Sequence, residues 1–307
     1  MQRFFTIVSL AAFLCLSLAA CTTSKPEQQK VFKSPSDAMQ ALVTALKADD
    51  DKELLLILGP EGKELIFSGD EVADRTMRQK FVDAYDEKNS IEADGDRFLL
   101  VIGENDWPFT IPLVEKNGEW VFDSASGKEE ILNRRIGKNE LDTIQVLLAI
   151  VDAQREYAME DRDGDSLMEY AQKFGSDPGK KNGLFWKTQE GEESSPLGEL
   201  VANARAEGYT SKGSMNNPVP YHGYYYRILT AQGDYASGGA YDYIVNSKMI
   251  GGFAILAFPA EYANSGVMTF IVNHDGVVYQ KDLGENTGEL AEAITLFDPD
   301  DTWMRIQ

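Results

Sequence analysis

The stretch from Tyr221 to Gly284 constrains the fold most. It alternates short aromatic and β-branched runs with glycine-containing turns, giving candidate strands at Tyr224 to Thr230, Tyr241 to Asn246, Gly251 to Phe258, Gly266 to Asn273 and Val277 to Lys281. Asn273-His274-Asp275-Gly276 reads as a hairpin turn, because Gly276 can take the positive φ that such loops need. Consecutive strands of this kind predict an antiparallel sheet, which needs cover on at least one face. Upstream, Lys138 to Met159 has the length for that cover, a helix about 33 Å long at roughly 1.5 Å per residue. Leu141, Ile144, Leu148 and Val151 form its apolar stripe, extended by Tyr157 and Ala158, with Asn139, Asp142, Gln145, Asp152 and Glu156 elsewhere. Leu167 to Phe174 and Pro196 to Glu207 read as shorter helices, and Glu289 to Phe297 as a closing one.

The first half reads differently. Ser34-Pro35-Ser36-Asp37 is a helix start, with Ser34 as cap, Pro35 at the first helical position and Asp37 near the positive end of the dipole. Leu42, Ala45 and Leu46 follow at helical spacing, and Leu54 to Leu58 is an apolar run ended by Gly59-Pro60. Asp70 to Lys88 places Val72, Met77, Phe81, Val82 and Tyr85 on a broad helical face. Strand-like runs then occupy Phe98 to Gly103, Phe109 to Val114 and Trp120 to Phe122. Helices first, then a curved antiparallel sheet ending in NGEWVFD, resembles the NTF2-like fold, in which a ligand lies between helices and sheet.

The N-terminus sets the compartment. Met1 to Ala20 has Arg3 beside the terminal amine, an apolar core from Phe4 to Leu18, and small residues before Cys21, which reads as an export signal. Leu18-Ala19-Ala20-Cys21 resembles the lipobox of bacterial lipoproteins, which implies cleavage before Cys21 and acylation of its thiol and new amine. Several acyl chains make a stable anchor where one is marginal. Thr22 to Lys33 is polar and aperiodic, a tether reaching roughly 40 Å at about 3.3 Å per residue. The chain's two cysteines are Cys15, lost with the signal, and Cys21, so the mature protein is expected to have no disulfide and no thiolate metal ligand. The formal charge of −21 becomes one unit more negative when Arg3 leaves. Such a surface repels nucleic acid and anionic lipid headgroups, and nucleic acid is not an expected partner.

The expected organisation is therefore α+β throughout: 1–20 signal peptide, 21–33 tether, 34–126 NTF2-like domain, and 127–307 a long helix packed on an antiparallel sheet. The strings DWPFTIPLV, GKEEILNRRIGKNEL, DAQREYA, PYHGYYYRILTAQG, GGAYDYIVN and SGVMTFIVNHDGVVYQKDLG resemble the bacterial envelope family called domain of unknown function 2950, over about Phe32 to Gln307. That resemblance implies an exported protein, often a lipoprotein, without an assigned activity. DAQREYA followed by an Asp-rich turn, GYYYRIL and FPAEYANSGVMTFIVNHDGVVYQ also resembles the head of pseudopilins. Pseudopilins start with an apolar membrane helix, whereas here the matching helix begins at Lys138, Asn139 and Glu140 in mid-chain, which argues against filament assembly.

Candidate chemistry is sparse. Asp161, Asp163, Asp165 and Glu169 alternate carboxylates that can converge on Ca2+, a cation that takes six to eight oxygens. Ser166 stands where an EF-hand has Gly, and the glutamate comes three places early, so a solvated turn is the competing reading. Tyr221, His222, Tyr224 and Tyr226 form an aromatic block that is either packed or presented to a glycan or protein partner. His222 is also a candidate general base. No G-x-S-x-G, H-E-x-x-H, Walker or G-x-G-x-x-G pattern is present. These observations favour a non-catalytic binding or assembly lipoprotein. It would face the periplasm from a membrane, the outer one favoured, held in the bilayer by acylated Cys21 and served by an envelope protein partner. The alternative is an envelope hydrolase acting on cell-wall or glycan substrates through carboxylates with His222.

Overall fold

The computed structural model describes residues 28–162, 164–189, 191–209 and 219–306. The signal segment, Cys21, most of the tether and Asp163 lie outside them. Four helices open the fold: α1 (Pro35–Lys47), α2 (Asp51–Leu58), α3 (Gly62–Ile66) and α4 (Glu71–Glu87). Their starts are set by side chains that accept otherwise orphaned N–H groups. Ser34 accepts from Asp37 N, Asp50 from Glu53 N, and Asp70 from Val72 N and Ala73 N. The sheet that follows holds β1 (Asn89–Asp94), β2 (Arg97–Ile102), β3 (Trp107–Pro108), β4 (Leu113–Lys116) and β5 (Glu119–Phe122). Its order is β1-β2-β4-β5, with β3 also pairing β2, and every pairing is antiparallel.

β1 carries no strand signal in the sequence, since all its side chains are exposed and nothing selects an alternating pattern. It forms because Asp94 and Arg97 close a hairpin around Gly95, whose φ is +68°. The run expected from Phe109 to Val114 is a strand only from Leu113 onward, with Phe109 N donating to Leu100 O ahead of it.

The central helix is α5 (Ser124–Tyr157), about 50 Å long at roughly 1.5 Å per residue. It starts well before Lys138 because its first turns are buried against the opening helices and sheet. Ser124 Oγ donates to Leu58 O at 2.7 Å, and Gly127 lies so close to the Thr110 carbonyl that a Cβ there would sit 2.6 Å from the oxygen. Buried apolar side chains form two clusters, one around α1, α2 and the first sheet and one in the C-terminal half. α5 contributes Ile131 to the first and Val146 through Tyr157 to the second.

The remaining elements are α6 (Gly198–Ala206), β6 (Tyr224–Leu229), β7 (Ala231–Gln232), β8 (Tyr241–Asp242), β9 (Ile244–Val245), β10 (Lys248–Met249), β11 (Ala254–Pro259), β12 (Met268–Asn273), β13 (Val278–Asp282), α7 (Thr287–Ala293) and β14 (Met304–Arg305). The main C-terminal sheet is antiparallel in the order β14-β13-β12-β11-β6. The expected strand at Tyr241 to Asn246 is not in it. That run is split between β8, paired with β7, and β9, paired with β10. Its place as the fifth strand is taken by β14, a two-residue piece too short to show periodicity. Leu167 to Phe174 is not helical either: Tyr170 makes a bridge to Met249, an extended contact that tertiary pairing imposes.

α5 covers the sheet with most of the expected stripe, since Ile144, Leu148, Val151 and Tyr157 pack on the C-terminal core, but its buried face is shifted at the N-terminal end. Leu141 is 67% exposed, while Asn139, Thr143, Leu147, Ile150 and Gln154 are buried. Burying the two amides costs little because both are satisfied. Asn139 Nδ2 donates to Ser265 O at 2.9 Å, and Gln154 both donates to Ala171 O and accepts from Ala171 N at 2.8 Å. Strand register divides the sheet's residues between two faces. Tyr224, Tyr226 and Ile228 share one face with Ala257, Ile255 and Phe270, and Tyr226 Oη reaches Thr143 of α5 there. On the other face Arg227 donates to the carbonyls of Ala291, Glu292 and Ile294 at the end of α7, and Tyr279 packs on Phe297.

Candidate functional site

The best-formed recess lies in the first half, between the opening helices and the sheet. It has a volume of about 530 Å3. Leu42 and Leu46 of α1, Leu54 and Leu58 of α2, and Ile102 of β2 form its floor and walls, with Phe109 and Ile111 from the segment between β3 and β4. Met77 and Phe81 of α4 and Ile131 of α5 complete the apolar lining. The local sequence explains why these side chains converge. The Leu54–Leu58 run turns one face inward, and α4 points Phe81 at the sheet, where its ring meets Phe109 edge-on at 5.1 Å. Two large apolar side chains of the lining stay exposed, Met77 at 58% and Trp107 at 39%, which marks an unfilled apolar surface instead of closed core.

The polar groups of the lining all carry one sign. Arg78 and Lys80 of α4 and Arg134, Arg135 and Lys138 of α5 line it, with no acidic residue among the lining side chains. In a chain where acidic side chains outnumber basic ones by 50 to 29, that local reversal sets this surface apart. Arg78 is committed to structure, pairing with Asp49 at 2.6 Å and Asp51 at 2.7 Å and donating to Ile66 O. Arg135 is committed too. It donates to Glu64 O and Leu65 O at the C-terminal end of α3, where a cation complements the dipole, and to the Asn264 side chain. Burial pulls the Arg135 pKa down, opposed by the nearby Asp74 and Glu261 carboxylates. Lys80 is exposed and pairs with no carboxylate among the described residues, while Arg134 and Lys138 have only i,i+4 partners, Glu130 and Asp142. Thr110 also lines the recess, and its buried hydroxyl has no hydrogen-bond partner among the described residues.

The sequence-derived candidates lie elsewhere. Tyr221-His222-Gly223-Tyr224 is a tight turn, with Tyr221 N donating to Tyr224 O at 2.9 Å and Tyr224 N to Tyr221 O at 3.2 Å. His222 and Gly223 occupy its centre with φ of +52° and +76°, as a primed turn requires. The His222 imidazole sits between Asp142 (3.6 Å from Nδ1) and Glu207 (3.7 Å from Nε2). Its pKa is nonetheless lowered, because burial outweighs the two carboxylates. Tyr224 is fully buried, donating to Met268 O at 2.9 Å, and Tyr226 is tucked under α5. Tyr221, partly buried, stacks on His222 with ring centroids 4.1 Å apart, and burial pushes its pKa up to about 12.

In the acidic turn, Asp161 accepts from the backbone N–H groups of Gly164, Asp165 and Ser166. Asp165 and Glu169 converge on Lys248 Nζ, at 2.7 and 3.1 Å. A side-chain ammonium thus stands where these two carboxylates meet. Among the described residues no three His, Cys, Asp or Glu side chains are grouped to hold a metal ion, and Asp163 lies outside them. No helix among the described residues is long and apolar enough to cross a membrane.

The NTF2-like resemblance implies a ligand between helices and sheet, but the sequence does not single out the lining residues, because they are the ones that would otherwise make a core. The signal that was present is the cluster of Arg134, Arg135 and Lys138 on one helix of an acidic chain. Fold and recess together define an α+β protein with an apolar cleft flanked by basic side chains. The chain belongs to the family described as protein of unknown function (DUF2950), whose model matches residues 29–306. No curated protein and no solved structure matches it.

Proposed function

We propose that this protein is a non-catalytic binding module of the bacterial cell envelope that holds an apolar ligand in the cleft between α1, α2, α4, α5 and the first sheet. The observation that carries this reading is the cleft itself. Its volume of about 530 Å3 lies within the roughly 300–1,000 Å3 of small-molecule sites, its walls are mostly apolar, and its exposed cations Lys80, Arg134 and Lys138 line it from two helices. The N-terminal sequence supports the location, with a signal followed by Cys21 as the acylated anchor and a tether that lets the module work away from the bilayer. A ligand-transfer role implies an envelope protein partner, which cross-linking in intact cells would trap.

The test is direct. A neutral fluorescent apolar probe such as Nile red is expected to bind the purified protein at one site. Ala84 of α4 also lines the cleft, and Ala84→Trp, which fills it, should abolish that binding while leaving the melting temperature near its original value. Unchanged probe binding in Ala84→Trp would place the ligand elsewhere and defeat the proposal. The hydrolase reading rests on the two carboxylates flanking His222. Turnover of cell-wall fragments that disappears in His222→Ala would establish it.

A further inference from the structure

Resting on that binding reading, we infer that the ligand is a single-tailed amphiphile with an anionic head: the tail fills the apolar cleft, and the carboxylate or phosphate meets Lys80, Arg134 and Lys138.

Three features carry this. First, the cleft interior offers a ligand almost no hydrogen bonds. Apart from the basic side chains, Thr110 is the one polar lining residue, so a sugar or peptide would lose its hydration there without compensation. A hydrocarbon tail gains from the same surface. At roughly 30 Å3 for each methylene-sized group, the liquid-volume share of a water molecule, the cleft holds on the order of 18 such groups, the size of one long tail.

Second, the charge is one-signed and partly uncommitted. Arg78 is neutralised by the Asp49 and Asp51 carboxylates and Arg135 is fixed on backbone carbonyls, so neither is free to meet a ligand. Lys80 has no ion-pair partner among the described residues. Arg134 and Lys138 are half exposed and make only i,i+4 pairs, which contribute little in solvent and yield readily to a better anion.

Third, the geometry puts tail and head at the right places. Lys80 follows Met77 by three residues on α4, and Lys138 follows Arg134 by four on α5, so the cations flank the cleft from two helices. The chain's overall negative charge, which repels anionic surfaces at large, is reversed only locally. That arrangement favours a single anionic molecule over an anionic membrane.

The test uses the purified chain from Thr22 onward, without signal or acyl groups, so that no detergent competes. Nile red is displaced by amphiphiles of equal sixteen-carbon tail below their micellar concentrations: hexadecanoate, hexadecyl phosphate, hexadecanol and hexadecyltrimethylammonium. At least tenfold tighter displacement by one or both anionic compounds than by the alcohol, with the cation weakest, is expected, and the better of the two names the head. In Lys80→Glu/Arg134→Glu the preference should vanish while Nile red still binds. Raising the salt concentration in the unaltered rim should weaken the anions and not the alcohol. Equal displacement by all four would overturn the anionic head and leave the binding module standing. Absence of Nile red binding and of any displacement would overturn both.

Discussion

The Tyr209 hydroxyl donates to Asp70 Oδ2 at 2.8 Å, and through that bond a residue that follows α6 is fastened to the N-cap of α4. The same Asp70 oxygen accepts from Gly223 N at 2.9 Å, while Oδ1 accepts from Val72 N and Ala73 N. One side chain, 1% exposed, thus satisfies donors from both halves of the chain. Tyr209's own pKa is raised, by burial first and by the Asp70 charge second, so it stays a donor at any physiological pH. Loss of the cap and two orphaned buried donors should make Asp70→Ala destabilising by about 3 kcal/mol. Tyr209→Phe, which removes one bond to a charged group, should cost about 1.5 kcal/mol. Urea denaturation followed by tryptophan fluorescence measures both. Equal losses in the two variants would mean that the cap contributes nothing.

Gly127 is required by contact and not by backbone freedom. Alanine is the better helix former by about 1 kcal/mol, so propensity alone predicts that Gly127→Ala stabilises α5. Its Cβ would meet Thr110 O at 2.6 Å and Ile111 Cγ1 at 2.9 Å, and backbone cannot give way cheaply. A net loss of about 1–3 kcal/mol is expected, as in other overpacked sites. A raised melting temperature would show that α5 stands off from this segment.

Acid should weaken the protein partly through His222. Burial lowers its folded pKa below the usual 6.5, while in the unfolded chain it titrates at the usual value. Between those two values the unfolded state binds the extra proton, so this contribution is complete above about pH 6.5 and is lost as pH falls through the folded pKa. An NMR titration of the His222 ring, assigned with His222→Gln, should give a midpoint below 6.5. Asp142→Asn and Glu207→Gln should lower it further, since both carboxylates favour the charged ring. A midpoint above 6.5 would show that the carboxylates outweigh burial.

The proposed anchor at Cys21 is tested by acyl labelling. Cells fed labelled palmitate should incorporate label into the protein, and Cys21→Ser should lose both the label and membrane fractionation. Label retained in Cys21→Ser would rule out this anchor.

How much of this was legible in the sequence varies by element. Capping residues are local, so Ser34, Asp50 and Asp70 sit at the helix starts that the residue types imply. Strands β6, β11 and β12 fall close to their expected places because each has an apolar or aromatic run suited to a buried strand, and β13 follows β12 through the Asn273–Gly276 turn. Tyr241 to Asn246 has the same composition yet leaves the main sheet, and Met304–Arg305 joins it, because pairing is a competition between segments far apart in the chain. α5 illustrates a subtler limit. Its helical character was plain, but Leu141 faces solvent while Asn139 and Gln154 face inward, since hydrogen bonds to Ser265 and Ala171 exist only in the folded chain.

By itself the sequence determined the α+β class, the family, and the helix and strand identities that rest on local periodicity and capping. Only the tertiary structure decided that Lys80 of α4 and Arg134 and Lys138 of α5 line one apolar cleft. It alone placed His222 in a turn between Asp142 and Glu207. The physical reason is that propensity and periodicity act over a few residues, whereas a cleft is the space left where packed elements fail to close, and no short stretch of chain encodes that space.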